Sequence, residues 1–296
     1  MSPRIEGGVV AEAGDYLTVA EVAALLRLKQ RRVYALARAG TLPSRRVTGR
    51  LLFARDEVAA WLEPTETATS RAAPPVLVGS HDPLLDWALR ESGCGIASFC
   101  DGSLDGLARL ARGEAVVAGV HLFEGEGAWN RGHVQERLAG APVALLEWAW
   151  RERGLIVAAG NPERLAGITD LAGQRVIARQ ELAGSQLLLE RLLADAGIGS
   201  VPFAGVARSE ADAALAVADG KADAAFGLAC MARQFRLGFV PVLRERFDLV
   251  LDRRAYFEPP LQALVAFARS AACARKAAEL GGYDLVGSLT VRFNAP

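Results

Sequence analysis

The chain has 296 residues, enough for two domains at roughly 100–200 residues each. Apolar residues make up 51% and charged residues 23%, which excludes a disordered chain. Lys plus Arg and Asp plus Glu each number 34, so the whole chain is neither a strongly basic nucleic-acid binder nor an acidic tail, unless the balance hides two unlike parts.

Met1 to Asp15 carries Glu6, Glu12 and Asp15 and no apolar core, so it does not read as a secretory signal. Residues 16–62 form a compact pattern. Thr18 followed by Glu21 is a capping box, in which the hydroxyl accepts an N–H near Glu21 and the carboxylate reaches back to the N–H of Thr18. It predicts a helix over 19–26, with Val19, Val22, Ala23, Leu25 and Leu26 as its apolar positions. After a break at Arg27-Leu28, a second helix fits Gln30 to Ala39, with Val33, Leu36 and Ala37 inward and Gly40 as its left-handed stop. Two short strands, 44–48 and 50–54, flank a Thr48-Gly49 turn, and a last helix over 55–62 presents Val58, Trp61 and Leu62.

Charge separates this segment from the rest. Lys29 to Arg50 holds seven basic residues and no acidic one, and residues 1–64 carry ten basic and seven acidic residues, a net +3. The remaining 232 residues therefore carry −3. The basic run falls on the second helix and the hairpin, the elements that a winged helix-turn-helix lays in the major groove and along the backbone. Lys29, Gln30, Arg31, Arg32, Tyr34, Arg45, Arg46 and Arg50 are the candidate DNA-binding residues. An isolated charge run is usually a solvated face; the acid-free window combined with the helix order favours DNA. The segment resembles the excisionase-type, MerR-related helix-turn-helix domain. The residues that carry this are Tyr16-Leu17-Thr18-Val19-Ala20-Glu21-Val22-Ala23, Arg32-Val33-Tyr34, Gly40-Thr41-Leu42-Pro43 and Asp56-Glu57-Val58-Ala59-Ala60-Trp61-Leu62. It departs at Lys29-Gln30, where that family often has a Ser or Thr cap. Paired half-sites are usual for such modules, so a homodimer is expected.

Residues 63–75 are polar, proline-bounded and without apolar period, and read as a linker between domain 1–62 and domain 76–296. Beyond it, strands alternate with helices. Strands are predicted at 76–79, 95–99, 115–120, 141–148, 154–159, 175–178, 222–227, 239–243 and 247–251. Helices are predicted at 82–90, 103–111, 185–196 and 209–219, and 261–278 is mainly helical. The fold class is α/β, a mostly parallel sheet with helices on both faces in two lobes, the second spanning about 160–246. No apolar run approaches the 18 residues of a membrane span; the best, Ala141 to Trp150, contains Glu147. Cys94, Cys100, Cys230 and Cys273 lack CxxC or metal spacing and read as free thiols of a cytoplasmic protein. His81, His121 and His133 form no zinc pattern, and no metal is expected.

Ligands in such folds sit beyond the carboxyl ends of the strands. Three junctions share one chemistry: Ser80-His81-Asp82-Pro83, Asp101-Gly102-Ser103 and Ala183-Gly184-Ser185-Gln186 each follow a strand and place a serine where a helix should open. Free N–H groups and the helix dipole there suit an anion, and plain N-capping by Ser80, Ser103 and Ser185 is the alternative. Arg151 could hold a ligand oxyanion or pair with Glu147 or Glu152, and His121 could donate into the cleft or be a core histidine. The candidate ligand residues are Ser80, His81, Asp82, Ser103, His121, Arg151, Gly184, Ser185 and Gln186. Consecutive Ser80-His81-Asp82 cannot form a catalytic relay, because neighbouring side chains diverge, so no enzyme is expected.

This region resembles the PBP-like domain family, type II periplasmic-binding-protein folds found in the cytoplasm beside helix-turn-helix modules. The motifs in order are Val78-Gly79-Ser80-His81-Asp82, Gly102-Ser103-Leu104-Asp105-Gly106-Leu107, Arg112-Gly113-Glu114, Ala118-Gly119-Val120-His121-Leu122 and Arg153-Gly154-Leu155-Ile156-Val157. Gly160-Asn161-Pro162, Arg179-Gln180, Gly220-Lys221-Ala222-Asp223-Ala224 and Leu237-Gly238-Phe239-Val240-Pro241 follow, leading into Phe247-Asp248-Leu249-Val250. The family often has a Gly-Ser-Gly-Thr-Arg run where this chain has Ala183-Gly184-Ser185-Gln186-Leu187. Related domains accompany molybdenum-cofactor and formate-dehydrogenase genes, so the resemblance implies molybdate, tungstate or a molybdopterin-type compound as effector. Together the two resemblances imply a one-component transcription regulator. The alternatives are an architectural or recombination-directionality DNA binder whose larger domain only mediates assembly, and an enzyme using the cleft.

Overall fold

The computed structural model describes residues 16–26, 28–38, 42–47, 49–62, 73–125 and 127–295. The N-terminal stretch to Asp15, the break at Arg27, the stop at Gly40, the turn residue Thr48, the side chains of Trp61 and Leu62, and the linker from 63 to 72 lie outside the described residues. Contacts divide the chain into two units, Met1–Arg71 and Ala72–Pro296.

In the first unit β1 (Tyr16–Thr18), α1 (Val19–Leu25), α2 (Gln30–Arg38), β2 (Arg45–Val47), β3 (Arg50–Ala54) and α3 (Arg55–Leu62) follow in order. The capping box forms: Glu21 N donates to Thr18 Oγ1 at 3.4 Å, and Thr18 N donates to Glu21 Oε2 at 2.7 Å. Strand β1 was not foreseen; it pairs antiparallel with β3 and gives a sheet of order β1-β3-β2. Helices of seven and nine residues are marginal alone. Here Leu17, Val22, Val33, Leu42, Phe53 and Val58 bury one another, and Leu36 and Ala37 pack against them as their spacing predicts.

The second unit begins with β4 (Val76–Gly79), α4 (Pro83–Glu91), β5 (Ala97–Phe99), α5 (Ser103–Ala111), β6 (Val117–Val120), the hairpin β7 (Phe123–Gly125) and β8 (Ala128–Trp129), and α6 (Arg131–Arg137). It continues through β9 (Val143–Val157), β10 (Val176–Arg179), α7 (Gly184–Asp195), β11 (Phe203–Ala207), α8 (Glu210–Ala218), β12 (Ala224–Leu228), α9 (Ala229–Gln234) and β13 (Gly238–Asp252). It closes with α10 (Pro259–Ala268), α11 (Ala271–Leu280), β14 (Tyr283–Asp284) and β15 (Val291–Asn294). The expected helix over 261–278 is two, divided at Ser270, whose hydroxyl caps α11.

The sheet runs β11-β10-β12-β9-β13-β6-β4-β5, with β14 and β15 also on β9. It is mixed rather than mostly parallel. Strands β4, β5 and β6 are parallel, as are β10, β11 and β12, but β9 and β13 run antiparallel to each other and to their outer neighbours. Each long strand has 15 residues, roughly 50 Å of extended chain, and passes through both lobes. The sequence predicts a break in each, between 148 and 154 and between 243 and 247, where the charged triplets Arg151-Glu152-Arg153 and Arg244-Glu245-Arg246 stand. In the structure Arg151 sits opposite Glu245 in the ladder, and Arg151, Arg153 and Glu245 are all buried. Paired charge continues the strands where unpaired charge would have ended them.

Alternation along these strands separates the cores, because successive side chains face opposite ways. In the first lobe Leu77, Leu146 and Leu249 pack with α4, α10 and α11, while Val78, Leu145 and Val250 pack with α5 and α6. In the second, Ile156, Ile177 and Ala225 face α8 and α9, while Leu155, Val176 and Phe226 face α7. Helices therefore cover both faces.

Candidate functional site

A cavity lies where the two lobes of the second unit meet, beyond the carboxyl ends of five strands. Ser80 and His81 follow β4, Cys100 and Gly102 follow β5, and His121 follows β6. From the other lobe come Arg179, Gln180, Ala183 and Ser185 at and after β10, and Arg208 and Glu210 after β11. Its free volume is about 10 Å³, room for about one water molecule. Two glycines permit this approach. A Cβ on Gly184 would lie 2.7 Å from the carbonyl oxygen of His121, and one on Gly102 would lie 2.7 Å from that of Leu182.

None of the three junction serines caps its helix. Helix α4 is capped by Asp82, which accepts from Leu85 N at 2.7 Å. Helix α5 opens at Gly102 and α7 at Ala183, both without a side-chain cap. Ser80 Oγ and Ser103 Oγ lie 2.8 Å apart, and Ser103 Oγ accepts from His121 N at 3.2 Å. Ser185 Oγ is buried and has no partner. Ser80 meets Ser103, Asp82 caps α4, and His81 Nδ1 is buried without a hydrogen-bond partner, so the three side chains are not joined in a relay.

Of the nine expected ligand residues, Ser80, His81, His121 and Ser185 line the cavity. The other five stand behind it, and their bonds explain why. Asp82 also accepts from Trp148 Nε1 at 3.0 Å, Arg151 Nη1 at 2.9 Å and the Tyr283 hydroxyl at 2.8 Å. Arg151 is bound to Asp82 and Glu245 and stacks 4.4 Å from the Phe247 ring centre, so its guanidinium is committed to the fold, and neither Glu147 nor Glu152 is its partner. Glu147 pairs instead with Arg292, at 2.7 Å from its Nε. Ser103 holds the two loops together, Gly184 supplies the close approach, and Gln186 accepts from Arg179 N and donates to Glu190.

Behind the wall runs a buried ion network. Arg153 Nε donates to Glu245 at 2.7 Å and its Nη2 to Glu210 at 2.8 Å; Arg179 Nη1 lies 3.1 Å from the same Glu210 oxygen. Burial opposes ionisation of Glu210, but Arg153 and Arg179 outweigh it and bring its carboxyl down to about 2. Burial likewise opposes ionisation of Glu245, and Arg151 and Arg153 hold it well below the ordinary range. His121 Nδ1 lies 3.1 Å from Glu245, yet burial outweighs that carboxylate and lowers the imidazole pKa, which favours the neutral ring. Burial pushes the Cys100 thiol up to about 12, so it stays protonated. Cys100, Gly102, Arg179, Gln180, Ala183, Arg208 and Glu210 were missed as site residues. The signal that finds them is the one used for the others, a position just after a strand end.

In the first unit, Lys29, Gln30, Arg31 and Arg32 are exposed at the start of α2, Tyr34 is 52% exposed, and Arg46 and Arg50 are exposed on the hairpin. Among the described residues, Lys29, Arg31, Arg32, Arg46 and Arg50 make no ion pair. Arg45 differs: it pairs with Glu57 of α3 and donates to the Tyr16 hydroxyl at 3.2 Å, so it braces the hairpin. Among the described residues no helix is long and apolar enough to cross a membrane, and no group of three His, Cys, Asp or Glu could hold a metal ion.

The chain is 28% identical over 299 residues to the uncharacterized protein YvgK of Bacillus subtilis (strain 168), covering 92% of this chain and 96% of that one. In fold, the second unit is similar to a protein described as a phosphate ABC transporter substrate-binding protein with bound phosphate from Clostridium perfringens. The TM-score is 0.55 at 12% identity, over 69% of this chain and 96% of that one. It is also similar to the regulatory domain of HypT from Salmonella typhimurium, with a TM-score of 0.51 at 11% identity, over 68% and 94% of the two chains. A helix-turn-helix domain family matches residues 16–65. The PBP superfamily domain matches residues 87–269, more than half of the chain, and this protein belongs to that family.

Proposed function

We propose that the chain is a ligand-responsive DNA-binding regulator, in which the first unit holds DNA and the second closes on a small effector. One observation carries this reading: a single chain joins a helix-turn-helix with five exposed basic residues that make no ion pair among the described residues to a two-lobed cleft whose wall holds a buried, unpartnered serine. Lys29, Arg31, Arg32, Arg46 and Arg50 would neutralise phosphates, which gives affinity, while Gln30 at the start of α2 and Tyr34 midway along it would make base or backbone contacts. The effector changes DNA affinity only as far as it binds two states of the protein unequally, and DNA then changes effector affinity by the same factor. A homodimer on paired half-sites fits the module. The uncapped ends of α5 and α7 favour negative charge, which supports an anionic effector and keeps molybdate, tungstate and molybdopterin-type compounds among the probes. The test is gel retardation on the duplex upstream of the protein's own reading frame, with and without each probe. Retarded bands that shift with a probe are expected; no retardation at any concentration would overturn the reading. If the second unit served assembly alone, no small molecule would raise its melting temperature.

A further inference from the structure

The cleft pairs uncommitted donors with uncommitted acceptors, and its buried charges cancel. Arg151, Arg153 and Arg179 are matched by Asp82, Glu210 and Glu245, through the contacts Arg151–Asp82, Arg151–Glu245, Arg153–Glu245, Arg153–Glu210 and Arg179–Glu210. Three guanidinium groups against three carboxylates leave this buried shell neutral, and Arg208 adds one exposed positive charge at its edge. Both ion pairs to Glu210 fall on Oε1, while Oε2 is buried and accepts nothing. A carboxylate can accept up to about four hydrogen bonds, so Glu210 retains capacity on a side chain that lines the cavity. Gln180 Oε1, also on a lining residue, is buried without a donor.

Donors come from the start of α7 and of α5. Ser185 is 2% exposed, lines the cavity in the first turn of α7, and its hydroxyl has no partner. Neither α5 nor α7 has a side-chain cap to occupy its opening N–H groups. Arg208 stands exposed at the rim.

We infer that the cleft takes a small carboxylate that also carries hydroxyl or ammonium donors, a hydroxy- or amino-carboxylate, rather than a fully deprotonated tetrahedral oxyanion. The inference rests on the cleft being the effector site. The ligand carboxylate accepts from Ser185 Oγ and the uncapped helix ends, and its hydroxyl or ammonium group donates to Glu210 Oε2. Molybdate, tungstate and sulfate offer only acceptors at neutral pH. Each would set an oxygen against the Glu210 carboxylate and leave Gln180 Oε1 unpaired, a mismatch that discriminates by repulsion and unmet hydrogen bonds. The present cavity is about one water in size, so entry requires the lobes to part.

The experiment is calorimetric titration of the full chain with three four-carbon diacids that differ in one group: succinate without a donor, malate with a hydroxyl, aspartate with an ammonium. Propionate, lactate and alanine form a second such set, and molybdate, tungstate and sulfate a third. In at least one set the donor-bearing member should bind about tenfold tighter than its donor-free counterpart, the worth of one charge-assisted hydrogen bond, and tighter than any oxyanion. Glu210→Gln should abolish that preference. Because that variant also removes one carboxylate partner of Arg153 and the carboxylate partner of Arg179, Ser185→Ala serves beside it and should weaken donor-bearing and donor-free members alike. Equal affinity for donor-bearing and donor-free members, or tightest binding by molybdate, tungstate or sulfate, overturns the ligand class. If an oxyanion binds and also shifts DNA affinity, the class fails and the regulator reading stands. If no probe binds, the ligand class is overturned; if the chain also fails to retard DNA, the regulator reading falls with it.

Discussion

Arg153 is fully buried and bonded to two carboxylates and the carbonyl oxygen of Phe226. Removing one partner of a buried pair costs more than the pair is worth, because the remaining charge stays desolvated. Arg153→Met should therefore lower stability by about 3–5 kcal/mol in urea denaturation, because Glu210 and Glu245 stay buried with only one guanidinium each, Arg179 and Arg151. A change below about 1 kcal/mol would show that the network is solvated. The carboxyl of Glu210 gives the pH sign. Its folded value, about 2, lies below its ordinary 4.5, so its contribution is complete above pH 4.5 and is lost as pH falls through about 2. The stability difference between wild type and Glu210→Gln should shrink across that window, and a difference constant from pH 7 to pH 2 would contradict the assignment. At this scale the sequence was legible in kind but not in partner. It marked Arg151 as holding a ligand oxyanion or pairing with Glu147 or Glu152, and its partners are Asp82 and Glu245, 69 and 94 residues away. Glu210 was hidden behind Ser209, whose capping box with Asp212 is sufficient reason for that junction.

Among elements, those with clear end signals were read well, while the long strands β9 and β13 and short pieces such as β1, α6, β11 and α9 were not. Strand β4 and helix α5 agree with the sequence to the residue, because glycine, proline and serine mark their ends. Strands β9 and β13 do not, because local pattern cannot distinguish a charged triplet facing water from one facing its complement across a ladder. The same limit hid β14 and β15, whose place is set by β9 rather than by their own composition. Capping chemistry was legible at Thr18 but not at Ser103, whose hydroxyl serves His121 and Ser80. The opening of α7 makes a structural prediction. In Gly184→Ala the new Cβ would meet the backbone oxygen of His121 at 2.7 Å, which cannot yield as a side chain would. The lobes should then rest further apart, at a cost of about 1–3 kcal/mol. Small-angle scattering should give a larger radius of gyration than wild type, and an unchanged radius would mean that the lobes do not close through this contact.

Over the whole molecule, the balance of 34 basic and 34 acidic residues is a sum over two units with different work. The excess of +3 in residues 1–64 is concentrated on α2 and the β2–β3 hairpin, where five cations remain free of ion pairs among the described residues. The pairing of a helix-turn-helix with a two-lobed α/β fold was legible, because the capping and turn signals of residues 16–62 give way to alternating strands and helices. The sheet's antiparallel centre was not legible, since it depends on pairing between residues about a hundred positions apart. The most direct test of the central claim is the salt dependence of binding to the upstream duplex, read by fluorescence anisotropy for wild type and for Arg31→Ala/Arg32→Ala. The wild-type log–log slope should be steeply negative, with about −0.9 for each phosphate neutralised, and the double variant should lose up to about two such contacts. Binding that is absent, or whose slope is the same in both proteins, would contradict DNA recognition through this face.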